Sequence, residues 1–269
     1  MDRKLNITAI EDSIAWADKN ANLSRLKRNI ELIPPATDVV VLPEMFSTGF
    51  ITDKELAAKL AERNTGSTIA RLQEIADDKK VTLVGSYLAR TAGKLYNRAF
   101  IVEPGGDNSF YDKRHLFRMA GEDKAFQYGT AQSPIVRFRG WNIRVLVCYD
   151  LRFPVWCRNT QTANYDLLIF VANWPKARQT SWTTLLQARA MENLCYVCGV
   201  NRCGTDNDGI DYASATSIIV DYKGQIIASR DENAENPQII SATLNPDKLR
   251  QSREKFPTWM DADSFSITI

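Results

Sequence analysis

Histidine is nearly missing from this chain: His115 is the one imidazole in 269 residues. The common neutral-pH base is thus confined to one position, and any Cys/His hydrolysis would have to run through it. Cysteine is sparse as well, with five residues at irregular spacing. That excludes a disulfide framework and fits a reducing compartment. Cys195 and Cys198 form a CxxC in NLCYVCGVN, but no second CxxC or His-rich pair completes a metal site. Strand positions three apart face opposite ways, so both read as packing residues.

An excess of charge of one sign is also lacking. Lys plus Arg is 34, Asp plus Glu is 32, and the net charge is only +2. Without a basic block, nucleic acid is not an expected partner. The longest apolar stretches, such as DLLIFVA at 166 to 172, fall well short of the roughly 20 residues that cross a bilayer. The N-terminal MDRKLNITAIEDSIAW has no unbroken apolar core behind its charges, so no secretory signal and no membrane association are expected. With 44% apolar and 25% charged residues, the composition is that of a globular protein. A cytoplasmic location is expected.

The apolar periods then give the elements. Ile14, Ala17, Leu23, Leu26, Ile30 and Ile33 recur at near-helical spacing and predict a helix over 13–33, ended by Pro34-Pro35. TDVVVLPEMF reads as a buried strand stopped by Pro43, and TGSTIARLQEIADDKK as a second helix. VTLVGSYLA and KLYNRAFIVE are hairpin partners across TAGK. IVRFRGWNIRVLVCYD gives two strands turning at Gly140, FPVWCRNTQTAN a short helix, DLLIFVANW a buried strand, and residues 180–193 a helix. CYVCGVNRCG, SATSIIVDYKGQIIASR and QIISATLN supply the remaining strands. No Pro/Gly/Ser-rich linker divides the halves, which share an element order, so one α/β domain over 1–269 is expected.

Three strand ends carry chemistry, since buried strands expose reactive groups beyond their carboxyl ends. Glu44 follows a buried strand beside Met45 and Phe46, where partial desolvation would suit a general base. Its plain alternative is a loop acid facing water. Lys113 in FYDKRHLF is able to stabilise an oxyanion or lower a thiol pKa, or is simply a solvated lysine. Cys148 sits between IRVLV and YDLRFP, a strand turning sharply into a helix. That turn would expose the thiol and aim the Tyr149 N–H at an oxyanion. A buried strand cysteine is the alternative.

Together, LPEMFSTGF, YDKRHLF and VLVCYDLRFP resemble the Glu-Lys-Cys signature of the nitrilase superfamily of carbon–nitrogen hydrolases, over nearly the full chain. The resemblance implies an αββα four-layer sandwich, with two mixed β-sheets flanked by helices. It makes Glu44 the general base, Lys113 the oxyanion-stabilising cation and Cys148 the nucleophile, without metal or other cofactor. A second family glutamate lies seven residues before a loop-closing glycine. Glu122 stands in that relation to Gly129, the alternatives being Asp123 or a solvated acid. Homodimers are usual in the family, and the C-terminal tail from about 250 to 269, with its unpartnered apolar residues, is a candidate for that interface.

The segment NWPKARQTSWTTLLQARAMENLCYVCGVNRCG further resembles bacterial ω-amidases, which hydrolyse the terminal amide of 2-oxoglutaramate and 2-oxosuccinamate. A substrate of that kind carries a carboxylate, for which arginine offers a bidentate grip. Arg178 is the candidate, or else a solvated arginine. Trp174 and Phe46 are candidate apolar walls, although aromatic residues at strand ends more often belong to the core. Arg152 is expected to brace the nucleophile turn through an internal carboxylate, with Asp150 its partner or an outward cap. Rival readings are another amidase of the superfamily acting on deaminated glutathione or aliphatic amides, a non-catalytic binding protein, and a Cys/His hydrolase using His115.

Overall fold

The three valines of TDVVVLP divide the interior between them. Val39 and Val41 face an inner core and Val40 an outer one, as the two-residue period of a strand dictates. The computed structural model describes residues 4–160, 163–212 and 216–268. Its first part contains β1 (Leu5–Ile10), α1 (Lys19–Ile30), β2 (Val39–Val41), α2 (Lys54–Leu60), α3 (Ser67–Lys79), β3 (Thr82–Thr91), β4 (Lys94–Val102) and β5 (Ser109–Asp112). Next come α4 (Glu122–Ala125), β6 (Val136–Phe138), β7 (Trp141–Val147), α5 (Pro154–Cys157), β8 (Leu167–Ala172) and α6 (Gln179–Asn193). The remainder is β9 (Tyr196–Asn201), a small β10 (Gly204–Thr205) and β11 (Asp211–Tyr212) ribbon, β12 (Ile218–Val220), β13 (Ile226–Ser229), β14 (Ile239–Leu244) and α7 (Pro246–Lys255).

Two six-stranded mixed sheets result, ordered β14-β1-β2-β3-β4-β5 and β13-β12-β9-β8-β7-β6. Each is built on three parallel strands, β1-β2-β3 and β7-β8-β9, extended by antiparallel neighbours. The similarity of the halves expected from element order is therefore present in the topology. Between the sheets, Leu5, Ile7, Val84, Ala99 and Ile101 share one core with Val145, Val147 and Ile169. Outside the first sheet, Leu26 and Ile30 of α1 and Ile69, Leu72 and Ile75 of α3 pack on Val40, Leu83 and Phe100. Across the second sheet lies α6, whose Leu186 would be met at 2.3 Å by a Cβ on Gly199. Glycine in β9 is what admits the helix so closely. The layering is αββα, as expected.

Several elements differ from expectation. Helix α1 starts at Lys19 because Ala17 adopts φ 56° and the Asp18 side chain accepts the Ala21 N–H, an N-cap that leaves Ile14 and Ala17 in the preceding loop. β1, α2, β5, α4 and α7 lie outside the elements expected from the sequence. β1 hides in the segment read for a leader, and it pairs antiparallel along its whole length with β14, joining the two ends of the chain. Of FPVWCRNTQTAN, only Pro154–Cys157 is helical, since Arg158 turns extended. Gln161 and Thr162 lie outside the described residues, as do Ser214 and Ala215 of the strand expected at SATSIIV. Among the described residues, no helix is long and apolar enough to cross a membrane.

Candidate active site

Strand direction assembles the site. β5 is antiparallel to β4, which is antiparallel to β3, so β5 runs with β2 and β3. Lys113, just past β5, and Glu44, just past β2, thus reach the same edge of the first sheet. Tyr111 points into the inner core, and strand alternation sends Lys113 inward after it. In the second sheet, the parallel β7 and β8 end together, which brings Cys148 beside Asn173: the Cys148 thiol lies 3.9 Å from the Asn173 carbonyl.

Glu44, Lys113 and Glu122 meet there, at 0, 1 and 0% exposure. Lys113 Nζ donates to Glu44 Oε1 at 2.9 Å and to Glu122 Oε1 and Oε2 at 3.0 and 2.9 Å. Asn97, close to the start of β4, donates its Nδ2–H groups to Glu44 Oε1 at 2.7 Å and Glu122 Oε1 at 3.0 Å. Its own Oδ1 accepts from Ser86 Oγ. From the second sheet, the Asn173 N–H donates to Glu44 Oε2 at 2.8 Å, and Asn173 Nδ2 to the Glu44 carbonyl at 2.9 Å. The Phe117 N–H closes the cluster on Glu122 Oε2 at 2.6 Å.

The electrostatics follow from this packing. Burial pushes the Cys148 thiol well above the ordinary cysteine value, Glu44 pushes it further, and Lys113 pulls it back only in part. Cys148 therefore rests as a thiol and needs a base to react. Burial would lower the Lys113 pKa, but Glu122 and Glu44 outweigh it and hold the ammonium above the usual lysine range. Burial raises the Glu122 pKa against the pull of Lys113, with Glu44 adding to the rise. With one cation between two acids, Lys113 offsets only part of the rise that burial and Glu44 cause in the thiol pKa.

Cys148 itself has φ 45°. Such a left-handed residue other than glycine costs about 1–3 kcal/mol and persists only where its surroundings impose it. It opens a helical turn over Cys148–Arg152, whose leading N–H groups, Tyr149 among them, have no carbonyl within the turn to bond. A thiol at a strained strand end, a buried acid, a buried ammonium and the leading N–H groups of a helical turn suit acyl transfer.

The carbon-nitrogen hydrolase family profile matches residues 5–254. The chain belongs to that family. The omega-amidase YafV of Escherichia coli (strain K12) is 43% identical over 263 residues, 98% of each chain. The 2-oxoglutaramate amidase of Bacillus subtilis (strain 168) is 30% identical over 260 residues, 96% of this chain and 97% of that one. Among solved structures, XC1258 from Xanthomonas campestris, a CN-hydrolase superfamily protein with an arsenic adduct in its active site, matches with a TM-score of 0.92. It is 37% identical and aligned over 99% of this chain and 100% of that one.

Other residues singled out in the sequence of this carbon-nitrogen hydrolase fall around the cluster or away from it. Arg178 is half-buried, its guanidinium 5.2 Å over the Phe117 ring. Its carbonyl accepts the Trp174 Nε1–H at 2.8 Å. Trp174 is buried, tilted against Trp182. Tyr149 packs edge-on to Phe117 and Phe153. Phe46 lies apart in the outer core, edge-on to Phe100. The ring over Lys113 is that of Phe50, at 5.5 Å. Asp123 lies near Arg118, itself largely exposed.

Two expectations for the turn are corrected. Arg152 pairs with no carboxylate among the described residues; it lies 4.8 Å over the Trp174 ring and donates to Ser181 Oγ. Asp150 is neither its partner nor an outward cap. It is fully buried and bonded to Val147, Tyr111 and His115. His115 thus turns Nδ1 to Asp150, while the charged groups acting on Cys148 are Glu44, Lys113 and Glu122. Asn97 and Asn173 were missed. Asn97 left a signal: it shares an inward register with Ala99 and Ile101 in an otherwise apolar strand face, where a buried amide requires partners.

Proposed function

We propose that the chain hydrolyses the terminal carboxamide of a small 2-oxo acid, of the 2-oxoglutaramate or 2-oxosuccinamate kind, to the dicarboxylate and ammonia. The observation that carries this is the Lys113 ammonium set between two buried carboxylates beside a protonated buried thiol, in a chain so close to an ω-amidase over its length.

Glu44 takes the proton of Cys148 as Sγ attacks the amide carbonyl carbon. Lys113 and the Tyr149 N–H hold the oxyanion, and Glu122 and Asn97 hold Lys113 and Glu44 in place. The proton passes to nitrogen, the C–N bond breaks, and ammonia leaves a Cys148 thioester. Glu44 then deprotonates water, which attacks the thioester; the C–S bond breaks and the thiol regains its proton. Arg178, free of any carboxylate among the described residues and anchored through Trp174, clamps the substrate carboxylate. Trp174 and Phe50 wall the site, and Phe46 takes no part.

Ammonia release from 2-oxoglutaramate compared with simple aliphatic amides tests the substrate. Mass spectrometry of protein trapped with substrate tests the route: an acyl adduct on Cys148 is expected, and one elsewhere overturns it. A homodimer in a reducing cytoplasm completes the reading. Its interface would use Phe256, Trp259, Met260 and Phe265 of the tail, all exposed in the single chain. A monomer by light scattering removes that part alone.

A further inference from the structure

His115 follows Lys113 by two residues, and Asp150 follows Cys148 by two. Between the two segments stands one buried carboxylate with four donors on it. Asp150 Oδ2 accepts the Val147 N–H at 3.1 Å and the Tyr111 hydroxyl at 2.9 Å. Asp150 Oδ1 accepts the His115 backbone N–H at 3.0 Å and meets His115 Nδ1 at 2.8 Å. A carboxylate offers about four lone-pair positions and no proton to give, so all are filled and Nδ1 must be the donor. The neutral imidazole with its hydrogen on Nδ1 suffices.

The surroundings lock that hydrogen bond in place. The His115 ring stacks on Phe153 at 3.6 Å and 8°, with Trp156 edge-on at 5.6 Å. Trp156 Nε1 donates to the Tyr111 hydroxyl, which also accepts the Arg114 N–H. Every one of these groups belongs either to the segment carrying Lys113 or to the stretch from the end of β7 through the Cys148 turn to α5. The Val147–Asp150 bond spans the residue at φ 45°, so the same carboxylate that imposes the strained turn also grips the lysine segment.

We infer that Asp150 and His115 are a positioning pair that fixes the Cys148 thiol relative to the Lys113 ammonium. Neither touches substrate. The inference rests on the reading of Cys148 and Lys113 as nucleophile and oxyanion cation. A misplacement near 1 Å costs roughly 100-fold in rate, so losing the Nδ1 donor should act on kcat and leave KM nearly unchanged.

The test compares His115→Ala, His115→Phe and His115→Asn. Phenylalanine keeps the stack on Phe153 without the donor, and serves if the alanine variant does not fold. Asparagine places an N–H near the position of Nδ1. Expected are a kcat lower by roughly 10- to 100-fold in H115F and H115A, KM within about twofold, and recovery of most of kcat in H115N. The rate of Cys148 alkylation by iodoacetamide should fall with kcat, and this arm needs no knowledge of the substrate. If the keto-amide assignment fails, alkylation still reports on the pair. Normal kcat and alkylation in H115F, or an H115N variant as impaired as H115A, would overturn the inference.

Discussion

Glu44 Oε1 and Lys113 Nζ stand 2.9 Å apart with their side chains 0 and 1% exposed. Desolvating such a pair costs several kcal/mol per ion, and apolar residues of the same volume would often serve stability as well or better. A second acid, Glu122, on the same ammonium makes the arrangement still harder to explain by stability. The chemistry proposed above would account for it: Glu44 would take the proton that burial keeps on Cys148, and the ammonium would stand where an oxyanion forms.

Glu44→Gln separates two effects of that carboxylate. Losing the base should lower turnover by roughly 100- to 10,000-fold. Losing its negative charge should lower the Cys148 pKa, because Glu44 now raises it. The pH profile of iodoacetamide labelling therefore shifts to lower pH while catalysis collapses. Near-normal turnover in E44Q would sink the assignment of Glu44.

Lys113→Met leaves two buried carboxylates facing each other without a cation. Breaking such a set costs about 3–5 kcal/mol at neutral pH, measurable by urea unfolding. The Lys113 pKa is raised in the folded protein, so its contribution is complete below the ordinary lysine value of about 10.4 and fades as pH rises through the folded value. The Lys113 contribution to the gap between wild type and K113M should thus hold constant up to about pH 10.4 and fade only above that. A gap below about 1 kcal/mol at pH 7 contradicts the buried-pair account.

How much of this was legible in the sequence depends on what each residue's partners are. Glu44 and Cys148 follow strands whose apolar runs are plain, whereas Lys113 follows the short SFYD strand, which has no apolar run, so family resemblance is what singles it out. Asn97 and Asn173 act through contacts 53 and 129 residues away along the chain, which no local pattern encodes. Asp150 misleads for a related reason. Two residues before Arg152 in sequence it invites a local pair, yet the helical turn points its carboxylate inward to Tyr111 and His115. The start of α1 was set by a cap and a left-handed alanine, which hydrophobic period does not report.

Arg178→Ala should spare the chemistry and weaken the grip on a carboxylate. A charge-assisted hydrogen bond is worth about 1.5–3 kcal/mol, or roughly a 10- to 150-fold rise in KM for the keto-amide at similar kcat. Lysine keeps the charge but not the fork, and should recover only part of the loss. An uncharged aliphatic amide should be hydrolysed equally by wild type and R178A. Equal losses on both substrates would mean that Arg178 supports the loop through Trp174 instead.

Gly129→Ala probes the support of Lys113 without altering a charged group. A Cβ at this position would lie 2.0 Å from the Asp112 carbonyl oxygen, and because the obstacle is backbone, no side chain can swing aside. The Gly129 N–H also donates to the Lys113 carbonyl at 2.9 Å, so relief of the clash must pull the two segments apart at Lys113. Overpacking of this kind costs about 1–3 kcal/mol, and displacement of Nζ should lower kcat beyond what the fall in Tm explains. Iodoacetamide labelling of Cys148 distinguishes the causes, since a shifted ammonium no longer lowers the thiol pKa and the labelling midpoint moves to higher pH. A G129A protein with wild-type Tm, kcat and labelling profile would show that the close approach of Gly129 to Asp112 does not hold Lys113.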